Sequence, residues 1–188
     1  MQKVEIIIGS TRPQRIGEQV AEWVLSLASG TRDIEFELVD LASWPLPNDE
    51  PNIPANQEYL HEHTKAWSRQ VSAGDGYVFV TPQYNWGYPA SLKNAIDHLY
   101  KEWLGKPAAI MSYGHRGGAK AAAQLRQVLE GLHMDPATTM PAIAFANEML
   151  AENGRLLDPA RDFAPYAETV KTAIEELAAK LTNGKRPE

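Results

Sequence analysis

Short apolar runs alternate with amphipathic stretches along the whole chain. Val4 to Ile8 is a run of β-branched residues ending at Gly9, the pattern of a strand buried on both faces. Ile16, Val20, Trp23, Val24 and Leu27 then recur at helical spacing, until Gly30 stops the helix. Ile34 to Val39 alternates, which predicts a more exposed second strand. A connection with Pro45, Pro47, Pro51 and Pro54 follows, too rigid and polar for regular structure and long enough to be a functional loop. Leu60, Thr64, Trp67 and Val71 give a second helical face.

The third strand is predicted over Gly76 to Thr81, ending at Pro82, and the next helix starts near Pro89, a residue suited to a first turn. Leu92, Ile96, Leu99 and Trp103 form the inner face of that helix. Pro107 to Met111 reads as a fourth strand. Leu125, Val128, Leu129 and Leu132 mark a helix after Gly118, and a fifth short strand is placed at Ala142 to Phe145. The last helix carries Tyr166, Val170, Ile174, Leu177 and Leu181, before a polar tail over 182–188. There is no internal repeat and no linker, so residues 1–188 are expected to form one domain. Strands alternating with helices imply a parallel sheet covered on both faces, with ligands at the carboxyl ends of its strands. The loops after strands one, three and four are therefore expected to hold the chemistry.

Composition narrows that chemistry. The chain of 188 residues has 24 acidic and 18 basic side chains, a net charge of −6 that argues against nucleic acid or anionic lipid as a partner. It has no cysteine, which excludes disulfides, thiolate metal sites and a cysteine nucleophile. The most apolar runs are too short to span a bilayer. No signal-peptide pattern precedes the first strand, so a cytoplasmic location is expected. The chemistry must come from a bound cofactor, histidine, hydroxyl or carboxylate.

The first loop reads Gly9-Ser-Thr-Arg-Pro-Gln-Arg-Ile-Gly17 and opens into a helix. Ser10 and Thr11 supply donors, Arg12 and Arg15 supply positive charge, and the helix supplies open amides and its dipole, together a phosphate site. It is neither a Walker loop nor a dinucleotide fingerprint, since Gly-Lys-[Ser/Thr] and Gly-x-Gly-x-x-Gly are absent. An ordinary turn with solvated arginines is the alternative. The second loop, Thr81-Pro-Gln-Tyr-Asn-Trp-Gly-Tyr-Pro89, places amide and aromatic groups at the sheet's rim. Trp86 and Tyr88 serve either a planar ligand or a dimer contact. The third loop, Ser112-Tyr-Gly-His-Arg-Gly-Gly118, lets the backbone approach a ligand closely. Elsewhere, His61 and His63 lie two apart on a predicted helix, where they point in different directions and do not form a metal pair. His98 and His133 read as structural or solvent-facing, and Lys93 with Asp97 as a weak surface ion pair or a dimer contact. Neither Ser10 nor Ser112 sits in a nucleophile elbow, which argues against a hydrolase.

With these three loops the chain resembles the NADPH-dependent FMN reductases of the flavodoxin-like superfamily, which include quinone, chromate and azo-dye reductases. The match lies in Gly-Ser-x-Arg at 9–12, in Pro-x-Tyr-Asn and Pro-x-x-Leu-Lys-Asn-Ala-Ile-Asp within 82–97, and in Ser-x-Gly-x-x-Gly-Gly at 112–118. It covers the chain from the first strand to the fourth helix. The resemblance implies an α/β flavodoxin-like three-layer sandwich whose five-stranded parallel sheet has the order 2-1-3-4-5. It also implies bound FMN, NADPH or NADH as hydride donor, and a small acceptor such as a quinone, free flavin, azo compound or metal oxyanion. A homodimer or tetramer is implied too. By the same resemblance Ser10, Thr11, Arg12 and the turn Arg15, Ile16 and Gly17 hold the FMN phosphate. Pro82, Gln83, Tyr84 and Asn85 line the ribityl chain and ring edge. Ser112, Tyr113, Gly114, His115, Arg116 and Gly117 cradle the pyrimidine side, while no residue acts as acid, base or metal ligand. Many members carry Glu at the position of Gln83, and Ser or Asn at that of Arg15 or Gly17, so arginine is expected to supply phosphate charge here. His115 or Arg116 is also a candidate for the NADPH 2′-phosphate. A flavodoxin-like electron carrier and a flavin sensor without turnover are the alternatives; a charge of −6 is mild for a carrier.

Overall fold

In the computed structural model, which describes residues 1–48 and 58–183, the apolar runs become parallel strands of one sheet. They are β1 (Gln2–Ile8), β2 (Ile34–Asp40), β3 (Gly76–Pro82) and β4 (Pro107–Gly114), in the order β2-β1-β3-β4. β3 is buried throughout, as a run without alternation must be at the centre of such a sheet, whereas β2 at the edge alternates. Two short strands, β5 (Asp135–Pro136) and β6 (Ala142–Ala144), both pair with the outer edge of β4. They complete the expected order 2-1-3-4-5, but the fifth position is split. The reason is visible between them: Thr138 and Thr139 turn their amides to the Glu176 carboxylate, 2.6 and 2.9 Å away, instead of to the ladder.

Helices cover both faces. α1 (Gly17–Ala28) and α6 (Ala167–Asn183) pack Val20, Trp23, Val24, Val170, Ile174 and Leu177 onto Val4, Ile6, Val78, Val80 and Met111. On the other face α2 (Glu62–Ala73), α3 (Ala90–Asp97) and α4 (Ala119–Gly131) cover Ile7, Tyr77, Phe79 and Ile110. A single turn, α5 (Pro159–Asp162), precedes α6. Trp67 and Trp103 are fully buried here, and each indole N–H reaches a carbonyl at the end of α3, that of Ala95 at 2.8 Å and Ile96 at 3.1 Å. This satisfies both the indoles and helix carbonyls that have no partner within the helix.

Four expectations shift. Leu60 is 70% exposed, because α2 begins only at Glu62. Leu99 and Trp103 are buried as expected, but lie beyond the end of α3 at Asp97. α6 continues through Thr182 and Asn183, and the rest of the expected tail lies outside the described residues, as do Pro51 and Pro54. The start of the proline-rich connection is packed rather than open: Trp44 lies 5.0 Å from the Trp67 ring, and Asn94 Nδ2 donates to Leu46 O at 2.9 Å. Pairing Ile8 with Val80 and Pro82 with Tyr113 brings the carboxyl ends of β1, β3 and β4 level, so their loops face one another.

Candidate functional site

The loop after β1 is fastened before it turns. Gly9 N–H donates to Val80 O at 2.9 Å, and Ser91 Oγ of α3 donates to Gly9 O at 2.8 Å. Ser10 is buried, sharing a 2.7 Å hydrogen bond with the Tyr84 hydroxyl, while Thr11 is exposed. The Arg12 guanidinium lies 3.6 Å over the Tyr84 ring. Arg15 behaves differently. Its Nη2 bonds Asp40 at 2.6 Å and Glu18 at 2.7 Å, tying the loop to the end of β2 and to α1. Its charge is therefore matched within the protein, and the charge this loop presents outward is that of Arg12. α1 starts at Gly17 after Ile16, with no side chain capping its first amides.

Beneath this turn lie two donors without hydrogen-bond partners among the described residues, Arg15 Nε and the Tyr113 hydroxyl. Burial raises the Tyr113 pKa above its ordinary value, so the group stays protonated and able to donate. A Cβ on Gly17 would stand 2.7 Å from this hydroxyl, which is why glycine opens the helix. Tyr113 thus directs its side chain under the first loop, and only its backbone belongs to the third.

The loop after β3 forms a two-residue turn. Tyr84 N–H donates to Gly87 O at 2.8 Å and Gly87 N–H to Tyr84 O at 3.0 Å. Asn85 and Trp86 between them have φ of 48° and 72°, the left-handed pair of a type I′ turn. Asparagine tolerates this; a tryptophan there is strained. Trp86 is 64% exposed, with Lys120 Nζ 4.4 Å over its ring. Gln83 donates its N–H to Tyr113 O at 2.9 Å, and its side-chain oxygen accepts from the amides of Lys120 and Ala121 at 3.2 and 3.3 Å. That side chain caps α4, a role open equally to Glu. Tyr88 is partly buried against the core beneath α3 and α4.

In the third loop the buried Ser112 hydroxyl donates to Gly117 O at 3.2 Å, folding the segment back on itself. Gly117 and Gly118 have φ of 82° and 93°, and a Cβ on Gly117 would come within 2.8 Å of Ala142 O. At Gly114 the nearest atom would be 3.7 Å away, so this glycine leaves open space instead of avoiding a clash. His115 donates from Nδ1 to Phe145 O at 3.2 Å and packs its ring 4.4 Å from that of Phe145, while Arg116 is exposed beside it.

The three loops enclose a cavity of about 410 Å³, within the range of small-ligand sites. Arg12, Arg15 and Ile16 line it from the first loop, Pro82, Gln83 and Tyr84 from the second, and Tyr113, Gly114 and His115 from the third. Ser10, Thr11, Gly17, Asn85, Ser112, Arg116 and Gly117 stand in the same loops but outside its wall. The remaining wall comes from Gln14, Phe145, Leu150 and Gly154. Sequence reasoning missed the last three, because the stretch after β6 has neither helical nor strand periodicity. Its attachment is by side chains: Gln19 of α1 bonds Leu156 N and O, both at 2.9 Å, and Arg155 pairs with Glu18. A larger hollow of about 800 Å³ lies at the amino ends of the strands among Gln2, Asp75, Lys106 and Asp135. None of the expected residues reaches it, and its charges are already engaged, Lys180 with Asp135 and Lys106 with Gly74 O.

The histidine reading needs one correction. His61 and His63 do not diverge: their rings stack 5.2 Å apart, because His61 is an extended residue ahead of α2 and not part of it. Among the described residues no three metal-ligating side chains converge. Lys93 and Asp97 form their ion pair at 2.5 Å, and His98 is buried against Asn94 O.

The profile of the NADPH-dependent FMN reductases matches residues 2–148. An NAD(P)H-dependent FMN reductase of Schizosaccharomyces pombe is 44% identical over 179 residues, 94% of this chain and 88% of its own. A quinone reductase of Pseudomonas putida is 32% identical over 85% of this chain and 87% of its own. Among solved structures, FerB, a flavoenzyme NAD(P)H:(acceptor) oxidoreductase from Paracoccus denitrificans, is similar with a TM-score of 0.68 and 26% identity, over 94% of this chain and 98% of its own.

Proposed function

The chain belongs to the NADPH-dependent FMN reductase family, and we propose that the cavity at the carboxyl ends of β1, β3 and β4 is where it holds FMN and reduces a quinone or another small acceptor. As a member of that family it is an NAD(P)H-dependent oxidoreductase that uses FMN. One observation carries the placement. The first turn of α1 is uncapped beside Arg12, and two buried donors without partners, Arg15 Nε and Tyr113 Oη, lie in the same wall. A phosphate monoester supplies the acceptors that such a group of donors lacks. The residues present fit the cofactor.

When bound, FMN supplies the redox step, taking a hydride from NAD(P)H and passing electrons to the acceptor. The protein's part is position and electrostatics. Open amides of the first loop, among them those of Ile16 and Gly17 at the start of α1, and the Arg12 side chain would hold the phosphate. With Arg15 matched to Asp40 and Glu18, arginine charge at the phosphate falls to Arg12 alone. Pro82 to Asn85 line the ribityl chain and ring edge, with Tyr84 fixed by Ser10. Gly114 and His115, which line the cavity from the third loop, would meet the pyrimidine side, where backbone dipoles would favour the reduced, anionic ring. Donor and acceptor use one cavity in turn, which gives a ping-pong cycle with parallel initial-rate lines.

The reading extends to a cytoplasmic homodimer or tetramer built from the chain as one domain. Exposed Tyr100 and Leu104, just after α3, support association. Sedimentation velocity tests that part. The decisive experiment is FMN titration followed by anaerobic addition of NADPH and then a quinone. The expected result is a bound yellow flavin that bleaches and is reoxidised by the quinone; a protein that takes up no FMN refutes the proposal.

A further inference from the structure

The wall that closes the cavity beside the start of α1 is a hairpin over 149–157. Leu157 N–H donates to Met149 O at 2.9 Å and Ala151 N–H to Arg155 O at 2.8 Å, around a bridge between Leu150 and Leu156. At the tip Gly154 N–H returns to Ala151 O at 2.8 Å with a φ of 78°, the three-residue turn that ends on a left-handed glycine. Leu150 and Gly154 face the cavity, and Leu156 is buried in the core beneath.

Two residues of α1 fasten this hairpin. Gln19 bonds Leu156 through both its N–H and its carbonyl, as a neighbouring strand would. Glu18, in the first turn of α1, divides its carboxylate: Oε1 accepts from Arg15 Nη2 at 2.7 Å, and Oε2 pairs with Arg155 of the hairpin. Arg15 Nη2 also holds Asp40 at 2.6 Å. Two guanidiniums and two carboxylates therefore cancel beside the turn. The Arg15 side chain is 10% exposed and lines the cavity, and its Nε has no hydrogen-bond partner among the described residues.

A phosphate at the start of α1 meets Glu18 directly after Gly17. With Arg15 alone against Glu18 and Asp40, the group carries one negative charge in excess, which repels an anion. Arg155 cancels that charge, but only while the hairpin is docked. The relation also runs the other way. An anion that accepts from Arg15 Nε fixes the planar guanidinium, whose Nη2 sets the carboxylate that receives Arg155. By linkage, hairpin and anion strengthen each other by the same factor. We propose that the hairpin is a latch on the phosphate end of the cavity, that Arg155 is its positioning residue, and that the phosphate of the flavin decides how firmly it holds. The proposal rests on the flavin site described above.

The test follows release of FMN, and of riboflavin, which has the same ring and no phosphate, by flavin fluorescence after dilution. It compares the wild type with Arg155→Gln and Arg155→Lys. Hydrogen exchange at the Ala151 and Leu157 amides, with FMN, riboflavin or inorganic phosphate present, reads the latch without turnover. Arg155→Gln is expected to release FMN about threefold faster, the scale of a partly exposed ion pair, and riboflavin at the wild-type rate. Arg155→Lys keeps the charge and restores slow release, and high salt erases the difference between the variants. FMN and inorganic phosphate slow exchange at both amides in the wild type but not in Arg155→Gln, while riboflavin leaves exchange unchanged. An equal change in release of both flavins makes the hairpin a plain wall and overturns the proposal. So does FMN release unchanged in Arg155→Gln, or exchange indifferent to phosphate. If neither flavin binds, the flavin reading fails, and exchange with inorganic phosphate still decides this one.

Discussion

Glu5 lies in the middle of β1 with no exposure to solvent. One carboxyl oxygen accepts from Gln70 Nε2 at 2.9 Å, and the other has no hydrogen-bond partner among the described residues. Burial lifts its pKa from 4.5 to about 7, outweighing the Gln70 hydrogen bond, Lys3 and Lys106, which lower it, while Glu37 adds to the rise. At about 1.4 kcal/mol for each factor of ten in proton affinity, ionisation costs about 3 kcal/mol more in the fold than in the unfolded chain. The sign follows from a raised acid. Below pH 4.5 the group is protonated in both states and its contribution is fully present; the contribution is lost as pH rises through about 7. Glu5→Gln keeps the shape and the Gln70 hydrogen bond and removes the titration. Urea unfolding of both proteins between pH 5 and 8.5, at constant FMN, isolates the effect, since every other group titrates alike in the two. The variant is expected to gain on the wild type by up to about 3 kcal/mol across that range. A difference independent of pH refutes the argument that the buried carboxyl stays neutral in the fold between pH 4.5 and about 7.

Four other substitutions test the flavin site. Arg12→Ala is expected to weaken FMN binding by about 1.5–3 kcal/mol, read by fluorescence titration of the flavin, with only a small change in stability, because the exposed Arg12 has no carboxylate partner among the described residues and loses only its contact over the Tyr84 ring. Tyr113→Phe removes a hydroxyl without a partner, so the FMN-free protein is expected to be as stable as the wild type or more so, whereas FMN affinity falls; lower stability without FMN is the contrary result. Gly117→Ala is expected to lose stability by about 1–3 kcal/mol in thermal unfolding, from its positive φ and the clash with Ala142 O. Gly114→Val meets no such clash and is expected to fold normally, yet to exclude the flavin ring from the space the side chain occupies.

The sheet was legible because each buried strand is a run of apolar residues and each helix repeats its apolar face. Those signals are local, and they succeed where structure follows local burial. The splitting of the fifth strand was not legible, since it depends on Glu176, far along the chain, drawing two amides from the ladder. The first loop shows the same limit. Arg12 and Arg15 look alike in sequence, but Asp40, brought alongside by the pairing of β2 with β1, claims Arg15 and leaves Arg12 exposed. Tyr113 was assigned to the third loop by position, while strand alternation directs its side chain beneath the first. The wall from Phe145 to Gly154 had no periodic signal at all, because side chains of α1 attach it.

The local costs of this fold are unevenly placed. Of the four non-glycine residues with positive φ, Asp33 and His133 lie in ordinary connections, whereas Asn85 and Trp86 stand together in a cavity loop. The left-handed Gly117 and Gly118, the uncapped start of α1 and the two buried donors lie around the same cavity. At the other end of the strands, Lys106, Asp75 and Asp135 all have partners. A chain selected for stability alone has no reason to concentrate strain and unmet donors at one end of the sheet. A ligand that supplies an anion at α1 and a flat ring between the second and third loops gives the uneven placement a purpose. The same reasoning fits Arg12, which lines the cavity and has no carboxylate partner among the described residues: a paired cation has little attraction left for a phosphate.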